Sequence, residues 1–412
     1  MEQASHPLHL FEGYGIELEY MIVDREHLTI LPLADRVLYS ITGAYEPEVG
    51  TGKLCWSNEL VLHVIELKTN GPARELESLP DTFNNDIRRI NAILSPHGAQ
   101  LMPTGLHPWV NPHTHTKLWP HEYNVIYETY KNIFGCQDHG WSNIQSSHIN
   151  LPFYDDSEFA RLHTAIRLVL PLLPALAAST PVIEGKLSSV LDSRLKVYCT
   201  NQQKIPSIAG DIIPERVLSR REYERVILEK MYRDTAPYDP EGIIRHEWLN
   251  SRGAIARFER NTIETRVLDM QECPLADLSI AFLTIEIVKA LVREQWTDYL
   301  HQCSFGSGPL VDLFHRTVSD AEQALIDDPH YLEVFNYPSS APCKADGLLH
   351  YLSETLVPDS SPWCDPLAKL LSQGSLARRI IKSLKGDTRL EHLREIYGEL
   401  CKCLARGKFF SA

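Results

Sequence analysis

Between residues 15 and 23 the chain reads Gly-Ile-Glu-Leu-Glu-Tyr-Met-Ile-Val, an alternation with the period of a half-buried β-strand. A second β-type run, Leu60 to Thr69, is closed by Asn70-Gly71-Pro72. Residues 11–72 are therefore expected to be strand-rich. Over 73–96 the period changes: Leu76, Leu79, Phe83, Ile87, Ile90 and Leu94 recur at helical steps. Residues 97–150 read as loop-rich, with seven histidines. Further helices are expected around 157–178, over the charged segment 219–233 and over 275–300, after Pro274. Residues 257–269 read as one strand, and 306–412 as mostly helical. No internal repeat or low-complexity tract interrupts this order.

Composition narrows the function classes. The chain has 412 residues, 43% of them apolar, enough for a large core and unlike a disordered chain. Its formal charge of −14 disfavours general binding to nucleic acid or to anionic membranes, since both need compensating cations. Nine cysteines, an odd number without a C-x-x-C pair, suit a reducing compartment, so a cytoplasmic location is expected. The first residues carry no basic region followed by an apolar run, and no signal peptide is expected. Leu168 to Ala178 is too short to cross a bilayer, contains Pro171 and Pro174, and reads as a buried helix.

Four places could carry chemistry. Glu17 and Glu19 stand at i and i+2, so a strand would point both to one face and Ile16, Leu18 and Tyr20 to the other. Neighbouring carboxylates repel unless a cation separates them; the plain alternative is a solvated strand face. Glu59 and Glu66 are an odd seven residues apart and converge only if the chain turns or bulges between them. In Ser146-Ser147-His148-Ile149-Asn150, His148 and Asn150 would share a face, as metal or phosphate contacts or as hydrogen-bonded core groups. In Thr262-Ile263-Glu264-Thr265-Arg266, Glu264 and Arg266 would share a face, as a metal ligand beside a phosphate-binding guanidinium or as a cross-strand ion pair. Arg194, Arg257 and Arg260 are further cationic candidates. Carboxylates with few softer ligands suit Mg²⁺ or Mn²⁺, and added arginines suit polyphosphate. The histidine-rich stretch 107–121 has few acidic partners and reads as a surface or active-site loop.

The order Glu-x-Glu, Glu…Glu, His-x-Asn, Arg…Glu-x-Arg resembles the glutamate–cysteine ligase type 2 (carboxylate–amine ligase) family of the glutamine synthetase-like superfamily. Gly15-Ile16-Glu17-Leu18-Glu19-Tyr20, Glu66-Leu67-Lys68-Thr69, Thr104-Gly105-Leu106-His107-Pro108, Ser179-Thr180-Pro181, Ser193-Arg194 and Thr262 to Arg266 carry the likeness, over roughly residues 11–300. It implies an α+β fold in which a curved antiparallel sheet forms a funnel flanked by helices, with residues 1–305 as the catalytic domain and 306–412 as a helical extension packed on it. It also implies that Glu17, Glu19, Glu59, Glu66, His148 and Glu264 line metal sites, that Arg257, Arg266 and Glu264 are catalytic, and that Arg194, Arg260, Asn150 and His107 contact nucleotide or substrate. The chain departs from the family at Asn150, where many members have histidine, and over 199–214, whose pattern matches no characterised member.

The implied reaction is ATP- and Mg²⁺-dependent amide formation through an acyl phosphate, on glutamate or a related amino acid, with small-molecule partners and a homodimer as an open expectation. Two other readings stay open at this level. One is a metal-dependent amide or phosphoester hydrolase; the other is a non-catalytic relative that binds an amino acid or nucleotide.

Overall fold

The computed structural model describes residues 7–411; the opening residues, on which part of the signal-peptide expectation rests, lie outside that range. Its centre is an eight-stranded antiparallel sheet. The strands are β1 (Gly15–Asp24), β2 (Glu48–Gly50), β3 (Leu54–Asn58), β4 (Val64–Thr69), β5 (Ala99–Met102) and β6 (Ser146–Pro152). A small separate hairpin, β7 (Val182–Ile183) and β8 (Lys186–Leu187), precedes the last two sheet strands, β9 (Ala254–Arg257) and β10 (Thr262–Asp269). The order is β2-β3-β4-β1-β6-β10-β9, with β5 paired to the far half of β1.

Strand alternation divides the chemistry. Ile16, Leu18, Tyr20, Ile65, Leu67, Ile149 and Ile263 point to one face and are buried. There they join Phe83 and Ile87 of the helix Leu79–Leu94, Leu162 and Ile166 of the helix Asp156–Val169, and Leu283 and Ile287 of the helix Pro274–Val292. Each such side chain contributes roughly 1.5–3 kcal/mol by leaving water. The polar residues between them are left on the opposite face.

Several sequence expectations are refined by local backbone chemistry. Residues 257–269 form a hairpin rather than one strand, because the chain reverses over 258–261 with Asn261 at φ 51°. Arg257 therefore faces Thr262 across a strand pair. The helix expected over 157–178 is begun by Asp155, whose side chain accepts from the Glu158 amide at 2.9 Å. It breaks into a 3₁₀ turn at Leu170–Leu172, where Pro171 cannot donate. The stretch Asp156–Ala177 has the length and apolarity of a membrane span, yet 94% of its most apolar window is buried in the protein, as a core element. The helix expected over 275–300 ends at Val292. Two helices within segments read as strand-rich or loop-rich were not anticipated: Ala34–Thr42 and Asn124–Phe134.

The C-terminal helices enter both cores. Residues from Phe305 to Leu370 contribute to the main cluster under the sheet. Leu376, Ile380, Leu393, Ile396 and Leu400 form a second cluster with Met21, Val23 and Met102, covering the far half of the polar face. A buried two-pronged ion pair fixes this segment: Arg379 Nη1 and Nη2 donate to the two oxygens of Glu272, the second at 3.2 Å. The Phe410 amide donates to the same carboxylate at 3.2 Å, and the Phe410 carbonyl accepts from Arg379 at 3.0 Å. Removing one partner strands a charge in the interior. Arg379→Ala is expected to lower the unfolding free energy by about 3–5 kcal/mol, read by urea denaturation. A loss under about 1 kcal/mol would mean that the clamp does not hold the segment in place.

Candidate active site

The polar face collects side chains from most strands of the sheet. Across β1 and β4, Glu19 faces Glu66 and Glu17 faces Lys68; across β1 and β6, Glu17 faces His148. Across β6 and β10, Asn150 faces Glu264. The Glu59–Glu66 spacing resolves through a turn: β3 ends at Asn58, the chain reverses over 59–63, and β4 begins at Val64. Glu17, Glu66 and His148 each offer a ligand atom within 4.8 Å of the others, and so do Glu19, Glu59 and Glu66. Glu66 belongs to both sets. Glu264 lies beside them, with Oε1 3.9 Å from His148 Nδ1, between Arg266 Nε at 3.1 Å and Arg257 Nη1 at 3.4 Å.

Hydrogen bonds hold the acids in place. The Ser146 amide and hydroxyl donate to Glu19 Oε2 at 2.6 and 3.1 Å. His148 Nε2 lies 2.8 Å from Ser146 Oγ, and its Nδ1 lies 2.8 Å from Glu17 Oε2. Asn150 Nδ2 donates to Glu17 Oε1 at 3.0 Å, and Ser57 Oγ donates to Glu66. Lys68 Nζ bridges Glu66 at 3.1 Å and Glu48 at 2.7 Å. Burial opposes charge on His148, but the Glu17 hydrogen bond and the Glu19 charge outweigh it and raise the pKa of the ring. Burial pushes Glu17 up, but the His148 hydrogen bond, the His148 and Lys68 charges and a bond to Glu66 together outweigh it and draw the carboxyl down to about 2. Glu59 is pushed well up by burial and by the Glu19 and Glu66 charges. Glu66 is pushed up to about 7 by burial and by Glu17.

A match to the family model described as glutamate–cysteine ligase family 2 covers residues 14–309. The chain belongs to this family. It is 31% identical over 396 residues to an uncharacterized protein of Archaeoglobus fulgidus, covering 96% of this chain and 99% of that one. It is 23% identical over 291 residues to a glutamate–cysteine ligase of Halobacterium salinarum, covering 68% and 69% of the two chains. Among solved structures, its fold matches a glutamate–cysteine ligase of Francisella tularensis in complex with AMP, with a TM-score of 0.61 at 11% identity, over 94% of this chain and 88% of that one. It also matches a bifunctional glutathione synthetase of Pasteurella multocida, with a TM-score of 0.59 at 13% identity, over 96% of this chain but only 53% of that longer one. The antiparallel sheet flanked by helices is thus the fold that the family resemblance implies.

The remaining segments that resemble the family fall behind the acids. Between Thr265 and Leu268 the β6–β10 register slips by one residue, a β-bulge at Arg266 and Val267. The slip brings Asp269 opposite Ser146, on the polar face. Asp269 Oδ1 accepts from Arg194 Nε at 2.5 Å, and Oδ2 accepts from the Ser179 amide at 2.9 Å and the Thr180 hydroxyl at 3.0 Å. Burial and the Asp269 charge push the Asp192 carboxyl well up beside this pair. A Cβ on Gly105 would lie 2.6 Å from the Asp269 carboxyl, so only glycine fits there. Gly105 and the Ser179-Thr180 pair therefore build the seat of Asp269 and Arg194.

Two expected contacts change accordingly. His107 is buried away from the acids. Its Nε2 lies 2.7 Å from the Leu28 carbonyl, its Nδ1 accepts from the Val110 amide at 3.0 Å, and burial lowers its pKa to about 4. It pins its own loop and lines none of the three cavities on this face. Arg194 is nearly fully buried and committed to Asp269, although it borders a cavity. In the histidine-rich loop, His113 and His115 are exposed and His121 pairs with Asp35 at 3.2 Å. Ser57, Lys68, Ser146, Asp192 and Asp269 were not anticipated; Lys68 and Ser146 stand two residues from Glu66 and His148 on the same strands, a signal the sequence carries.

Three adjoining cavities open on this face. A central one of about 510 Å³ contains the acids with Arg257, Arg260 and Arg266. An outer one of about 480 Å³ runs past Glu17, Lys68, Asn150 and Arg260 to the Asn70-Gly71-Pro72 turn. An inner one of about 270 Å³ runs past Glu19, Glu59 and Arg266 to a wall of aromatic rings.

The raised pKa of Glu66 has a signed consequence. In the unfolded chain its carboxyl has the ordinary value of 4.5, and in the folded chain it keeps its proton up to about 7. Across that window the unfolded state binds fewer protons, so stability falls as pH rises. Thermal unfolding of the metal-free protein is expected to shift downward between about pH 5 and about pH 8. The shift should shrink in Glu66→Gln and under saturating Mg²⁺. Equal slopes in the wild type and the variant would remove Glu66 as the cause.

Proposed function

We propose that this chain is an ATP-dependent carboxylate–amine ligase that activates an amino-acid carboxylate, glutamate or a close relative, as an acyl phosphate. Family membership supports the ligase class. The observation that carries the finer reading is the position of Arg266, which borders both the central and inner cavities and touches Glu264 beside the acid cluster. Cations and carboxylates crowded on one sheet face, with every cysteine thiol there neutral, suit phosphoryl transfer better than covalent catalysis. Burial first, then Glu48, pushes the nearest thiol, Cys55, up to about 12.

The donor set fits hard divalent ions: four glutamates and one imidazole in two groups sharing Glu66, with a fifth glutamate, Glu264, beside them. Glu17, Glu66 and His148 would hold one Mg²⁺ or Mn²⁺, and Glu19, Glu59 and Glu66 another, with Glu264 beside the first. Such ions supply charge neutralisation at phosphate oxygens. In this reading the nucleotide occupies the outer cavity, where Lys68, Arg260 and Asn150 meet the phosphates and the Asn70-Gly71-Pro72 turn meets the base end. In-line transfer then requires the carboxylate on the opposite side of the acids, toward Arg266 and the inner cavity. The carboxylate oxygen attacks the γ-phosphorus and ADP leaves. Arg257 and Arg266 provide fixed positive charge where the oxyanions develop, without reorganising. Arg194 acts through Asp269 and the Arg266 carbonyl, which it approaches at 3.4 Å, and so orients β10. The amine attacks the acyl carbon and phosphate departs.

Phosphate release from ATP and Mg²⁺, with amino-acid carboxylates and a panel of amines, tests this reading. Arg266→Ala is expected to reduce kcat by ~10²–10³ with the fold retained. Glu264→Gln should also suppress amine-dependent release. Undiminished turnover by a folded Arg266→Ala protein would overturn the assignment.

A further inference from the structure

The inner cavity holds two hydrogen-bond donors that the fold itself leaves unused. The first is in its wall of rings, to which Tyr127, Tyr130, Trp141 and Tyr198 contribute. Three of their polar tips are engaged. The Tyr198 hydroxyl donates to the Ser251 carbonyl at 2.9 Å, Trp141 Nε1 donates to the Asn201 carbonyl at 3.1 Å, and the Tyr127 hydroxyl accepts from Asn58 at 2.9 Å. The Tyr130 hydroxyl has no partner among the described residues, although a packed tyrosine ordinarily finds one. Its ring is nonetheless fixed. Trp141 lies 5.2 Å away between centroids, and Phe134 and Trp248 each lie 6.1 Å away. The hydroxyl is thus set in place with its proton uncommitted.

Arg266 is the second donor. Its backbone is fixed on both sides: the amide donates to the Gly253 carbonyl at 2.9 Å, and the carbonyl accepts from Arg194 Nη2 at 3.4 Å. Its guanidinium is less committed. Nε stands 3.1 Å from Glu264 Oε1 without a directed hydrogen bond, and the two terminal nitrogens have no partner among the described residues. The two donors are electrostatic neighbours. Burial raises the Tyr130 pKa and the Arg266 charge works against that rise, so the hydroxyl keeps its proton within reach of the cation. A planar fork of N–H groups matches a carboxylate, and a neutral O–H beside it adds a further bond. Polyphosphate calls for several cations, which the outer cavity supplies through Lys68 and Arg260.

We infer that the Tyr130 hydroxyl and the terminal nitrogens of Arg266 hold one carboxylate together, that of the acid to be activated. Tyr130 is then a binding residue for the donor. This rests on the ligase reading above and adds a residue to its donor site. Tyr130 gives and takes no proton in this role: its hydroxyl donates one hydrogen bond to the carboxylate. Arg266 also borders the central cavity, so a carboxylate held there lies between the ring wall and the acids.

Tyr130→Phe tests this, since it removes the hydroxyl and keeps every ring contact. The full-length protein is given ATP, Mg²⁺, hydroxylamine and a panel of amino-acid carboxylates including glutamate, and activated acid is read as hydroxamate. Hydroxylamine carries no carboxylate, so a change in the variant belongs to the donor. For the acid that gives most product, KM is expected to rise about tenfold or more, the worth of a hydrogen bond to a charged group, with a smaller change in kcat. Affinity for MgATP, measured by calorimetry without acid, should stay within about twofold. In an Arg266→Ala background the same replacement should raise KM by less than about threefold, because the two groups share one carboxylate. An unchanged donor KM in folded Tyr130→Phe would overturn the inference, as would an equal loss of MgATP affinity. The same factor in both backgrounds would also overturn it, by separating the hydroxyl from the carboxylate that Arg266 holds. A rise confined to the KM of cysteine, used in place of hydroxylamine, would assign the hydroxyl to the acceptor and leave the ligase reading standing. Absence of hydroxamate across the whole panel would remove the ligase reading, and this inference with it.

Discussion

A single relay of side chains, Glu17–His148–Ser146–Glu19, makes the polar face of the sheet tenable. Two carboxylates on one strand, both partly or fully out of water, would repel each other and lose hydration together. The relay places an imidazole between them and gives each acid a directed partner. Lys68 plays the same part for Glu66. Charge crowding is thus built into the fold before any ligand arrives, and the geometry of the cavities follows from it. Strands β1, β4 and β6 must be adjacent for these contacts to form, and the hydrophobic face beneath them is what keeps them adjacent.

Much of this was legible in the chain. Period-two alternation put Glu17 with Glu19 on one face of β1 and His148 with Asn150 on one face of β6, because that alternation is a local property of strands. The helix Leu79–Leu94 was legible for the equivalent reason. The joining of the separate segments into one site came from the ordered resemblance to a family, since no local pattern says which strands pair. Helix Asn124–Phe134 was not legible: only Ile133 is buried along it, so it has little apolar stripe to betray it.

Asp269 shows why the rest was hidden. Counted along a regular strand it belongs with Ile263, Thr265 and Val267, facing the core. One extra residue at the bulge reverses that parity and delivers it to the polar face. A bulge leaves no compositional mark, so the keystone beneath Arg194 could not be read from spacing. His107 is the converse case. Its motif matched a family pattern, and in the fold the imidazole serves loop geometry, bonding the Leu28 carbonyl and the Val110 amide.

The sheet order has a consequence for the way the chain comes into being. Four of the five glutamates and His148 occur in the first 150 residues, whereas Arg257, Glu264 and Arg266 follow more than a hundred residues later and fill the edge beside β6. A chain emerging from its N-terminus therefore exposes the acidic half of the site long before its guanidinium counterpart exists. Until β10 docks, β6 is an open edge beside an acidic patch that still lacks its guanidinium charge, and closure depends on a contact of high sequence separation. The late arginines are thus as much the last stones of assembly as they are instruments of the reaction.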